Sequence, residues 1–103
     1  MNIKKLWKNY RKISEVEYSN IDLKQYTIID VRSRREFSEG HINGAINIPL
    51  PELNKNINRY VASKNTNILV YCQKGSRSKR AAQILDDMGY TNVFNLKGGI
   101  ESI

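Results

Sequence analysis

Residues 66 to 72, "TNILVYC", are the most strand-like stretch of the chain, apolar from Ile68 to Cys72 and followed at once by "QKGSR". Side chains of a strand point alternately to its two faces, so a run that is apolar at every step has to be covered on both. "YTIIDV", residues 26 to 31, has the same character and stays apolar until Asp30. The segments around these two runs have helix character. "SRREFSEGHINGA" supplies Ser33 as a cap, a turn or two of helix carrying Phe37, and a glycine stop at Gly40. "PELNKNINRYVAS" begins with Pro51 at a favoured first helical position and sets Leu53, Ile57, Tyr60 and Val61 on one stripe. A third helix is predicted from about Arg77 to Met88, with Ala81, Ala82, Ile84, Leu85 and Met88 as its apolar face and Gly89 as its stop.

"AINIP" and "NVFNL" read as further short strands, and "KGG" as a turn. A first strand is expected near Arg11 to Ile13, followed by a brief helix over "SEVEYSN" with Ser14 as its cap. Strands separated by helix-length connections give an α/β domain with a central, largely parallel sheet of about five strands and helices on both faces. At 103 residues the chain holds one domain with a real core and has no room for two. The boundaries are a basic N-terminal segment, 1–12, and the domain proper, 13–103.

Several classes of function drop out on composition. The chain has a single cysteine, so no internal disulfide forms, and neither a CxxC pair nor a signal-peptide pattern is present. The expected compartment is the reducing cytoplasm, with a longer parent chain left open. No apolar run approaches the roughly 20 residues that cross a bilayer. The net charge of +7, from 17 Lys and Arg against 10 Asp and Glu, favours anionic partners. No aromatic RNA-binding run or zinc-finger spacing accompanies it, so small anions are preferred and no nucleic-acid partner is expected. Ile3, Leu6, Trp7 and Tyr10, interleaved with lysines, fit a short basic amphipathic helix. Contact of residues 3–12 with a membrane surface is one use for it; its three turns favour docking on the domain or a free end.

Cys72 carries the chemistry. In an open parallel sheet ligands bind beyond the carboxyl ends of the strands, and Cys72 stands at such an end. The bland alternative is a small apolar residue closing a buried strand. Against it, Gln73, Lys74, Gly75, Ser76 and Arg77 lead into a helix N-terminus, where unpaired N–H groups favour an anion. Gly75 allows the positive φ that lets those groups converge, and Lys74, Arg77 and the helix end favour the thiolate. Arg77 is the stronger oxyanion candidate of the two cations, because of its fork and its place at the loop mouth. Asp30 and Arg32 end another strand and face either the same crevice or each other, as an ion pair that shapes loops. His41, beside Gly40 and Gly44, reads as a turn-fixing residue rather than a base. No second His or Cys completes a metal site, and no cofactor is expected.

"IIDVRSRREFSEGHINGAINIP", "CQKGSRS" and "NLKGGI", in this order over roughly residues 11 to 101, resemble the rhodanese family of sulfurtransferases. The resemblance implies a small three-layer domain in which Cys72 accepts a sulfane sulfur as a persulfide and yields it to a nucleophile. It implies residues 73–77 as the N–H cradle and Lys74 as a contact for the anion; Ser78, with Asp30 and Arg32, is a candidate for pocket or structural support. The donor is then a small anionic sulfur compound such as thiosulfate, or another persulfide; the acceptor is a thiol, cyanide or a protein cysteine. Two departures matter. Glu36 stands where two-domain thiosulfate specialists carry an arginine, and a carboxylate facing the pocket repels thiosulfate. "ESI" follows "GGI" where a tryptophan is common, a difference expected to touch local stability. Two other readings use the same motifs: a sulfur-relay or binding module serving a partner protein, and a cysteine-phosphatase type of oxyanion site. Four residues separate Cys72 from Arg77, one fewer than in phosphatase loops, and no acid adjoins the loop to protonate an alcohol leaving group.

Overall fold

The computed structural model describes residues 13–103, and the basic segment 1–12 lies outside the described residues. Five strands, β1 (Ser14–Val16), β2 (Thr27–Asp30), β3 (Ile46–Asn47), β4 (Asn67–Tyr71) and β5 (Asn92–Leu96), pair in parallel in the order β1-β5-β4-β2-β3. Helices α1 (Arg34–Glu39), α2 (Leu53–Tyr60) and α3 (Ser76–Asp87) follow β2, β3 and β4. β4 is central, and Ile68, Leu69, Val70 and Tyr71 are all buried, as a strand covered on both faces requires.

The pleat sorts the core into two clusters. Ile29, Val31, Ile68 and Val70 face α2 and α3 and meet Leu53, Ile57, Ala81, Ala82 and Leu85. Ile28, Leu69, Tyr71 and Leu96 face the other way, under Ile42 and residues of short 3-10 turns, among them Leu23 and Ile100. Each fully buried Leu or Ile contributes about 1.5–3 kcal/mol of transfer free energy, so the long helices anchor the first face more strongly than the short turns anchor the second.

Two local expectations change. The strand expected near Arg11 to Ile13 falls largely outside the described residues, while Ser14, expected to cap a helix, instead begins the strand Ser14–Val16. Its backbone pairs with Phe94, Asn95 and Leu96 of β5, a long-range interaction that outweighs the local capping preference of its sequence. Tyr60, expected on the buried stripe of α2, is 54% exposed. The buried row Leu53, Ile57, Val61 advances by four residues at a time and drifts around the helix, leaving Tyr60 on its solvent side.

Candidate functional site

The site forms where β2 and β4 end. β4 stops at Tyr71, and Gln73, Lys74 and Gly75 turn the chain into α3. Gly75 has φ +117°, a left-handed conformation that a side chain disfavours. This turn brings the loop back over the sulfur. Cys72 Sγ accepts hydrogen bonds from the Gly75 N–H at 3.1 Å and the Ser78 N–H at 3.3 Å, with Ser78 Oγ also at 3.3 Å. Burial pushes the Cys72 thiol up, but the Ser78 hydroxyl and the N–H groups of Ser78, Gly75 and Lys74 outweigh it and hold it below its ordinary value. Cys72 is thus a buried sulfur whose charged form is solvated by the protein.

The C-terminal turn fixes this loop from outside. Ile100 N–H donates to Cys72 O at 2.9 Å and Glu101 N–H to Gln73 O at 3.1 Å. A Cβ on Gly99 would lie 2.6 Å from Cys72 O and 2.5 Å from Gln73 O, so only glycine fits this approach. The "GG" turn therefore supports the cysteine loop, a role that its composition alone does not reveal.

The other residues singled out by sequence divide into three groups. Lys74 and Ser76 are exposed at the lip. Gln73 bridges two elements: its Oε1 accepts from Arg32 at 3.1 Å and its Nε2 donates to Glu101 at 3.1 Å. Arg77 points to α1 and engages Glu36 through two bonds of 2.7 and 2.8 Å. That pair holds the Glu36 carboxyl down at about 2, with help from Ser33.

Asp30 and Arg32 form a buried pair through three side-chain bonds of 2.8–3.1 Å, and the Arg32 backbone N–H donates to the same carboxylate at 2.9 Å. Arg32 also donates to Gly40 O at 2.7 Å. Tyr71 lies under its guanidinium, 5.7 Å from ring centroid to Cζ, and its hydroxyl accepts from the Ile42 N–H at 3.0 Å. Burial and a hydrogen bond to Asp30 raise the Tyr71 phenol, so it stays neutral and works as a donor to that carboxylate. His41 Nδ1–H donates to Phe37 O at 2.9 Å while its ring stacks on Phe37, 3.7 Å between centroids. An open cleft of about 430 Å³ beside the loop is lined by Arg32, Glu36, Glu39, Gly40, Gln73 and Ile100.

Tyr71, Gly99 and the Glu36–Arg77 pairing are the parts of this arrangement that sequence reasoning missed. The apolar context of β4 hid the Tyr71 hydroxyl, and nothing local marks Glu36 as a partner for a residue 41 positions away.

Comparison with known proteins gives a consistent result. The Rhodanese-like domain family matches residues 15–103. The chain is 45% identical over 75 residues to the thiosulfate sulfurtransferase PspE of Escherichia coli (strain K12), covering 73% of this chain and 71% of that protein. It is 32% identical over 94 residues to the thiosulfate sulfurtransferase GlpE of Coxiella burnetii (strain RSA 331 / Henzerling II), covering 90% and 86%. A solved structure described as a rhodanese with anions from E. coli superposes with a TM-score of 0.71 at 44% identity, covering 76% of this chain and 91% of that one.

Proposed function

The chain belongs to the rhodanese-like domain family, and from that membership and the surroundings of Cys72 we propose that it is a sulfurtransferase carrying sulfane sulfur as a Cys72 persulfide. The observation that carries this reading is the buried sulfur with converging donors from Gly75 and Ser78, at the carboxyl end of the central strand. Such donors stabilise negative charge on sulfur without a mobile counter-ion.

Transfer takes two displacements. The Cys72 thiolate attacks the outer sulfur of the donor, a new S–S bond forms, and the old one breaks with its electron pair leaving on the departing group. From thiosulfate that group is sulfite; from a persulfide R–S–SH it is the thiolate RS⁻. An acceptor thiolate or cyanide then attacks the outer sulfur, and Cys72 leaves as the thiolate that the cradle already solvates. The exposed Lys74 at the lip is available to meet an anionic donor. Asp30, Arg32 and Gln73 act as the frame that holds the loop to β2.

The test is the intact mass of the protein after incubation with a donor, and again after a thiol is added. A gain of about one sulfur atom, located at Cys72 and removed by the thiol, is expected, with no gain in C72S. Sulfur uptake by C72S sinks the proposal. Loading from a partner protein's persulfide, with none from small donors, replaces enzymatic turnover by the relay reading.

A further inference from the structure

Neither arginine at the mouth offers a free charge. Arg32 is 4% exposed, and its guanidinium is occupied by Asp30, Gly40 O and Gln73. Arg77 is more exposed, at 39%, yet both of its terminal nitrogens are taken by the two oxygens of Glu36. A fork-to-fork pair fixes direction as well as charge, so both terminal nitrogens of the guanidinium are committed to Glu36 on α1 instead of being free to bind an anion. Glu36 is itself locked, since its carboxylate accepts the Ser33 N–H and hydroxyl, each at 3.1 Å.

The remaining charges do not restore a cationic mouth. Glu39 lines the same cleft, and Glu101 holds the Gln73 amide beside it. Among the described residues of the loop, Lys74 is left as the cation outside an ion pair. The amide cradle solvates one negative sulfur, but the charges around it give a second and third anionic oxygen little to bind.

Resting on the sulfurtransferase reading above, we propose that Glu36 is a specificity-determining residue: by holding Arg77 it directs the site to persulfides of small thiols in preference to the thiosulfate dianion. A persulfide brings at most one negative charge to the reacting sulfurs, whereas thiosulfate brings two. In the preferred reaction the Cys72 thiolate takes the terminal sulfur of R–S–SH with its proton, and RS⁻ departs with the electron pair, so atoms and charge balance with no further reactant.

The test compares wild type and E36Q, a change that keeps the side-chain shape and one acceptor oxygen but removes the charge and the second acceptor for Arg77, loosening its hold on the guanidinium. The ratio of kcat/KM for thiosulfate to that for cysteine persulfide, generated in situ, is expected to rise by about tenfold or more in E36Q. R77Q, which leaves Glu36 uncompensated, moves the same ratio down. A readout independent of sulfur transfer is the rate of Cys72 alkylation by iodoacetate relative to neutral iodoacetamide, which rises by about threefold or more in E36Q and is normalised against any loss of folded protein. Sulfur uptake with both ratios unchanged within about twofold overturns the donor assignment and leaves the sulfurtransferase reading standing. A raised alkylation ratio with no sulfur on Cys72 from either donor overturns the sulfurtransferase reading, and the donor assignment with it.

Discussion

A buried thiolate has only the donors within hydrogen-bond reach to replace its water, which makes Ser78 more than a spacer. Its hydroxyl lies 3.3 Å from Cys72 Sγ and 3.1 Å from Gly75 O, and it has one proton for the two acceptors. In the thiol form the Cys72 S–H has Ser78 Oγ as its acceptor and the hydroxyl proton goes to Gly75 O. When Cys72 ionises, that proton turns to the sulfur. In the proposed transfer the same exchange would accompany each departure of Cys72 as leaving group, with Ser78 adjusting to the charge on sulfur. Removing the hydroxyl in S78A raises the Cys72 pKa, because burial then meets fewer opposing bonds. Alkylation by iodoacetamide should slow by about three- to tenfold near pH 7, and its pH midpoint should move up. An unmoved midpoint removes Ser78 from the solvation of the sulfur.

Elements differ in how far their own sequence determines them. β2, β4 and α3 are legible because an uninterrupted apolar run or a helical stripe ending in glycine has one economical fold, and α3 starts within a residue of the expected place. β1 is not, since Ser14 and Glu15 are exposed and the strand exists through its pairing with β5. Cys72, Gly75 and the helix start were readable as a site because they are neighbours in sequence. The orientation of Arg77 was not, because it depends on where α1 lies in space. With only six residues α1 is too short to persist alone, and its capping box between Ser33 and Glu36 and the bond from Arg77 hold it in place. Glu36 consequently has a pH signature. Its folded-state value is lowered to about 2, mainly by Arg77, against about 4.3 in an unfolded chain. A lowered carboxyl stabilises the fold above the unfolded value and loses that contribution as pH falls toward the folded one. Urea unfolding of wild type and E36Q should therefore differ most above about pH 5 and converge as pH approaches about 2. Parallel curves across that range mean that Glu36 makes no net contribution through its charge.

At the scale of the molecule, one thiol and its burial together constrain how sulfur would leave under the proposed Cys72 persulfide chemistry. The chain has a single cysteine, so no second thiol of the chain can attack a Cys72 persulfide. Cys72 is 1% exposed, beneath a loop that the Asp30–Arg32 pair ties to β2 and that the Gly98–Gly99 turn braces from the far side. Transfer between copies requires the Cys72 sulfur of one to reach the outer sulfur held on the other, and two sulfurs enclosed this way do not come into contact while the loops stay folded. Exchange within one copy is thus closed by the absence of a second cysteine, and exchange between copies by enclosure of the sulfur. A slender nucleophile, or a cysteine displayed on a projecting segment of a partner, is what reaches the outer sulfur. Persulfidated protein freed of donor should therefore keep its extra sulfur with a lifetime that does not change on tenfold dilution, and should lose it at a rate proportional to added small thiol. Intact mass followed over time reads both. Loss that accelerates with protein concentration would mean that two Cys72 sulfurs do meet, and that the enclosing loop opens far more readily than its hydrogen bonds suggest.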